Sequence, residues 1–167
     1  MKKIWYLLKC PRGNEADYVK SCQEAVKFSD LDGLQEVIYF QYHRMIRYRG
    51  QWHLEKRAVL PGYIFVFGAE EAVSEQQTRV RSGNKEIFMN QCETPYLRYL
   101  CPEGDLVGMS GGIIRDGLPI ITSGPLLGRE KLIRKIDRHK RTAEIGIPLE
   151  GREQRVTVGL EIYEKQI

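Results

Sequence analysis

The sequence predicts an α+β chain in two parts, a split βαβ half followed by a small all-strand barrel. Three observations carry that expectation. A near-continuous apolar run, Tyr63-Ile64-Phe65-Val66-Phe67, reads as a strand buried on both faces. Polar-interrupted segments of helical spacing separate strand-like runs on either side of it. From Ile120 onwards, five short strand-like runs are punctuated by Gly128, Gly151 and Gly159, which read as turns.

Taken in order, Ile4 to Lys9 is aromatic and aliphatic and reads as a strand, broken by Pro11 and Gly13. From Asn14 to Phe28, Tyr18, Cys22, Ala25 and Val26 recur at helical spacing, with Asn14 as N-cap. Leu31-Asp32-Gly33 is a loop. Val37 to Tyr48, the turn Arg49-Gly50-Gln51 and the return from Trp52 read as a long hairpin with Arg44, Arg47, Arg49, Lys56 and Arg57 at its tip and flanks. Glu70 to Ser82, acidic first and basic last, reads as a second helix. Lys85 to Asn90 is the last strand of this half. Strand, helix, strand, strand, helix, strand is the ferredoxin-like, split βαβ order.

Thr94 to Leu100 reads as a short helix. Residues 102–117, with Gly104, Gly108, Gly111 and Gly112, read as a linker. The strands beyond it are Ile120-Ile121-Thr122, Leu132 to Asp137, Thr142 to Leu149, Arg155 to Val158 and Leu160 to Tyr163, and five so short predict an SH3-like β-barrel. Leu132, Ile133 and Ile136 also fit one face of a short helix. Gly124, Pro125 and Gly128 favour the barrel. The expected division is 1–101 for the first domain, 102–117 for the linker and 118–167 for the second domain.

Composition narrows the function. The 167 residues are 42% hydrophobic, with formal net charge +4 and pI near 8.9. From Gly124 to the end there are ten Lys and Arg against seven Asp and Glu, so most of the excess lies in the last quarter. The apolar run at the amino terminus stops at Lys9, too short for a signal peptide, and no stretch spans a bilayer. The expectation is a soluble cytoplasmic protein with no membrane partner. Cys10, Cys22, Cys92 and Cys101 form no CxxC pair, and His43, His53 and His139 complete no zinc pattern. No P-loop or nucleophile elbow occurs. No cofactor, no metal and no catalytic residue is expected, and the chain does not read as an enzyme.

The densest chemical signal runs from Ser123 to Arg141. A Gly-Pro-x-x-Gly turn, Gly124-Pro125-Leu126-Leu127-Gly128, leads into cations interleaved with Leu132, Ile133 and Ile136. Apolar residues anchor one face, and the cations point at solvent or at phosphate. A charge run is usually a solvated face. The excess of cations over Glu130 and Asp137 favours nucleic acid.

Both halves resemble the NusG family of transcription elongation factors. The first match rests on Trp5-Tyr6 and on Leu60-Pro61-Gly62-Tyr63-Ile64-Phe65-Val66. The second, to the KOW motif, rests on Gly124-Pro125-Leu126-Leu127-Gly128 and on Ile133-Arg134-Lys135-Ile136-Asp137-Arg138-His139-Lys140-Arg141. The resemblance implies an NGN domain followed by a KOW domain. Arg129, Glu130 and Lys131 stand where such modules usually carry apolar residues and a further glycine. Leu149-Glu150-Gly151-Arg152 replaces the family's Phe-Gly-Arg. These departures point away from the ribosomal protein and Rho, which the housekeeping members hold, and towards a specialised paralogue most similar to the LoaP group of antitermination factors.

The resemblance implies a monomer whose first domain binds the RNA polymerase clamp helices through Tyr6, Leu60, Pro61, Gly62, Tyr63 and Phe65. Phe65 and Ile64 fit a plain core role equally well; Tyr63, with its hydroxyl, suits a half-wet contact. Arg44, Arg47 and Arg49 would reach non-template DNA, with Tyr42 and Tyr48 stacking on bases. An ordinary hairpin edge blunted by charge is the competing reading. In the KOW domain, Arg129, Lys131, Arg134, Lys135, Arg138, Lys140 and Arg141 would meet the phosphates of a nascent RNA hairpin, and His139 would stack on a base or contribute a proton-dependent charge. Successive strand residues point to opposite sides, so not all share a face. The implied function is suppression of pausing or termination in specific operons; the alternative is a housekeeping factor coupling polymerase to ribosome or Rho.

Overall fold

The first strand-like run and the longest apolar run pair with each other. In the computed structural model, which describes residues 3–28, 34–69, 79–82 and 85–166, β1 (Lys3–Lys9) lies antiparallel to β5 (Tyr63–Ala69), with Tyr6 opposite Val66 and Leu8 opposite Ile64. β7 (Lys85–Cys92) pairs with the other edge of β1, β6 (Arg79–Ser82) with β7, and β2 (Leu34–Ile38) with β5. The sheet order is β2-β5-β1-β7-β6, antiparallel throughout.

Helix α1 (Glu15–Phe28) lays Tyr18 and Cys22 against Tyr6, Leu8, Val37, Ile64 and Val66 of this sheet. Trp5, Leu7 and Phe65, on the opposite face, are buried as well, and the Trp5 and Phe67 rings lie 4.8 Å apart. The middle of the continuous apolar run, Ile64, Phe65 and Val66, is thus enclosed on both sides, as its pattern predicts, while Tyr63 and Phe67 at its ends are half-buried. Each such side chain contributes roughly 1.5–3 kcal/mol by leaving water. The expected helix from Glu70 falls outside the described residues as far as position 78. Its end is corrected: Arg79–Ser82 is strand, because β7 offers an edge whose backbone groups it satisfies.

Contacts divide the chain into two units, Met1–Tyr39 with Leu60–Pro95, and Phe40–Val59 with Tyr96–Ile167. The second holds the hairpin of β3 (Gln41–Tyr48) and β4 (Gln51–Ala58). Arg49 and Gly50 form its two-residue turn, both at positive φ of 51° and 73°, as a primed turn requires. The hairpin, expected within the first domain, groups here because its backbone partners do. β8 (Leu106–Val107) runs parallel to β3 with Tyr42 opposite Val107, and the Gln41 N–H donates to the Asp105 carbonyl at 2.7 Å. α2 (Leu97–Leu100) buries Leu97 and Leu100.

The rest of this unit is a five-stranded sheet in the order β10-β9-β13-β12-β11. Its strands are β9 (Ser110–Arg115), β10 (Leu118–Ser123), β11 (Ile133–Asp137), β12 (Thr142–Leu149) and β13 (Arg152–Gln166), with a 3-10 turn at Glu130–Leu132. Two expectations are corrected. The expected linker 102–117 contains β8 and β9, and β9 pairs with both β10 and β13. Gly159 is not a turn. β13 runs through it, pairing with β12 before it and with β9 after it. A Cβ there would collide with the His43 carbonyl oxygen and the Met109 sulfur, so the glycine permits a close approach. Leu132 ends the 3-10 turn and Ile133 opens the strand, which resolves the helix-or-strand ambiguity of that segment.

Candidate nucleic-acid interface

The Leu60-Pro61-Gly62-Tyr63 segment is held by a residue that pattern reading passes over. Glu15, 5% exposed at the start of α1, accepts from the Gly62 N–H at 2.8 Å and the Gly13 N–H at 3.2 Å. The Tyr63 N–H donates to the Leu60 carbonyl at 3.1 Å, and Gly62 turns at φ 87°, where a Cβ would meet the Cys10 carbonyl at 2.9 Å. Of the expected polymerase contacts, Tyr6 and Phe65 are 1% exposed and Leu60 is buried. Their assignment as contact residues is corrected, since enclosed side chains are core. Gly62 is buried too, and its part is the turn. Pro61 is exposed and Tyr63 half-buried, with the Lys9 ammonium 5.7 Å from its ring.

On the hairpin, Arg47 and Arg49 are exposed, and the Arg49 guanidinium lies 5.2 Å from the Tyr48 ring. Tyr48 is open to solvent and stands edge-on to His53. Tyr42, expected to stack on bases, is buried, which corrects that role. Arg44 lies on the same strand face as Tyr42 and opposite to Arg47. Its side chain is mostly covered, with Nε 3.7 Å from Glu55 and without a hydrogen bond.

The cations from Arg129 to Arg141 fall into two groups. Three are tied into the fold. Arg129 donates to the Pro125 carbonyl at 3.1 Å and the Tyr99 carbonyl at 3.3 Å. Arg134 pairs with Glu153 at 2.5 Å and donates to the Lys131 carbonyl at 2.6 Å. That arginine holds the Glu153 carboxyl below the usual carboxylate range, chiefly through the hydrogen bond. Arg141 lies 3.8 Å from the Trp52 ring and 3.5 Å from Glu161. Glu130, one of the departures from the KOW pattern, is also structural, accepting from the Ile121 N–H at 3.1 Å. The second group, Lys131, Lys135, Arg138, His139 and Lys140, is exposed. Asp137 shapes the turn that carries three of them by accepting from the Lys140 N–H at 2.9 Å, which also holds its carboxyl below the ordinary range.

Lys135 and Lys140 line a polar cleft of about 260 Å³ together with Tyr42, Arg44, Asp137, Thr142, Glu144 and Thr157. All eight belong to one unit. The pattern signalled Arg44, Lys135 and Lys140 as cations, but not their convergence. Thr142, Glu144 and Thr157 carried no signal beyond strand propensity. Among the described residues, no group of His, Cys, Asp and Glu is arranged to hold a metal ion, and no helix is long and apolar enough to cross a membrane.

No protein-family model matches the chain, and no curated protein does. Among solved structures it is similar to NusG of Thermotoga maritima, from work on domain interaction in that protein. The TM-score is 0.53 at 18% identity, over 95% of this chain and 94% of the other. The chain has a NusG-like fold, mixed α+β and dominated by sheets.

Proposed function

We propose that this chain is a transcription elongation factor of the NusG type, a specialised antitermination paralogue similar to the LoaP group. The observation that carries the reading is the structural likeness across nearly the full length of both chains. The order β2-β5-β1-β7, with α1 on one face, supports a split βαβ NGN domain. The five-stranded sheet that follows supports a KOW barrel. The NGN part grips the clamp helices of RNA polymerase, with Pro61 and Tyr63 as the surface contacts. The KOW-containing part holds nascent RNA on Lys131, Lys135, Arg138, His139 and Lys140, and Arg47 and Arg49 at the hairpin tip reach non-template DNA. Holding polymerase and transcript at once raises the local concentration of one for the other, which suppresses pausing or termination without covalent chemistry.

The test is transcription in vitro with purified polymerase on a template bearing a terminator, with and without the chain. The expected result is increased readthrough, lost in Tyr63→Ala. Unchanged readthrough together with no binding to isolated clamp helices would sink the proposal. Leu118 and Ile120, exposed on one face of β10, favour a second reading in which this part holds a ribosomal protein or Rho. Capture of either by the purified chain would select it.

A further inference from the structure

We propose that the cleft between β3 and the strands β11–β13 holds one ribonucleotide of an RNA chain, its phosphate on Arg44, Lys135 and Lys140 and its 2′-hydroxyl on Glu144. The inference rests on the reading that this unit binds RNA, and deepens it by placing one nucleotide.

The cleft exists only where hairpin and sheet meet. β3 supplies Tyr42 and Arg44, β11 supplies Lys135 and Asp137, the following turn Lys140, and β12 and β13 the rest. Its volume of about 260 Å³ suits a sugar–phosphate unit and leaves the base outside. It is small beside the ~300–1,000 Å³ typical of whole-ligand pockets.

Three positive groups from separate elements converge there; Arg44 lies 3.7 Å from Glu55 at the edge of the hairpin, and Lys140 acts on the Asp137 carboxyl beside it. Lys135 stands opposite Glu144 in the β11–β12 ladder, yet the two form no ion pair. Lys140 has no ion-pair partner among the described residues. The Arg44 Nε is buried without a hydrogen bond. A guanidinium with one donor lacking an acceptor, beside two ammonium groups that form no salt bridge among the described residues, is an arrangement that a phosphate oxygen completes.

The carboxylates decide which polyanion fits. Asp137 accepts from the Lys140 N–H through one oxygen and keeps its negative charge at the cleft. Among the described residues Glu144 is met only by Arg155, at 3.5 Å between exposed groups. A second carboxylate would weaken a site for bare phosphate by repulsion. Beside a ribose it accepts a hydrogen bond from the 2′-hydroxyl, which DNA lacks. Thr142 and Thr157 line the same cleft.

The experiment titrates the full chain with a fluorescent random-sequence pool of RNA hairpins and with the matched DNA pool, across a range of salt. The wild type is expected to favour RNA. Lys135→Gln, Lys140→Gln and Arg44→Gln should each weaken RNA binding, and the triple variant should flatten its salt slope by ~0.7–0.9 log units, the loss of one phosphate contact. Arg44→Lys should restore most of the loss, which separates charge from folding. Glu144→Gln should bring RNA and DNA affinities together. RNA binding that survives all three cation substitutions, or equal affinity of the wild type for RNA and DNA, overturns the cleft assignment and leaves the broader reading standing. No binding of RNA by the wild type overturns the cleft and the RNA reading together.

Discussion

Glu15 joins the start of a helix to a turn far along the chain, and it does so from a position sheltered from water. A carboxylate removed from solvent is stable only when its lone pairs are used, and the Gly62 and Gly13 amides use them. Glu15→Ala should lower stability by about 1–3 kcal/mol in urea unfolding, since it leaves the buried Gly62 amide without an acceptor. Glu15→Gln should cost less. An unchanged midpoint in the alanine variant would show that water replaces the carboxylate. The thiols make a second prediction at this scale. Burial pushes Cys10, Cys22 and Cys101 up to about 11 from 9.0, the Glu15 carboxylate adding to the effect at Cys10. The fold favours the neutral thiol, so this contribution is whole below pH 9.0 and is lost as pH rises towards about 11. The unfolding midpoint should fall across that window, and less in Cys22→Ala. Tyr6 and Phe65 show why single-residue roles were poorly legible. A strand enclosed on both faces carries the same aromatic residues as a docking surface, and only burial separates them.

At the scale of elements, the hairpin was legible and its neighbours were not. Alternating aromatic and β-branched residues and the Arg49-Gly50 turn mark β3 and β4 locally. What receives the hairpin is β8, the glycine at 159 and Arg141, all remote in sequence. The Arg141–Trp52 contact is the most specific of these. Trp52→Ala and Arg141→Ala should each destabilise the chain by about 0.5–2 kcal/mol in thermal or urea unfolding. The double variant should cost less than the sum, because both remove one interaction. Strict additivity would mean the stacked geometry contributes nothing. Gly159 reads as a turn in sequence because a glycine that turns the chain and one that lets a backbone approach look identical there.

For the whole molecule, the consequence lies in where the chain of the carboxy-terminal five-stranded sheet begins. Strand β9 supplies the pairing partner of β10 and of the carboxy-terminal half of β13. A fragment of residues 118–167 should therefore show no cooperative thermal transition by circular dichroism, whereas residues 96–167 should regain one. A sharp transition in the shorter fragment would restore the linker reading of 102–117. Most strands, the first helix and the excess of positive charge were determined by the sequence alone, because period, glycine placement and composition are local properties that each segment carries in itself. Which cations remain available was decided only by the tertiary structure. Arg129, Arg134 and Arg141 are taken up by carbonyls, a carboxylate and a ring, while Lys135 and Lys140 meet Arg44 across a cleft. A charge becomes a site or a brace according to what distant chain is brought beside it, and no local pattern encodes that.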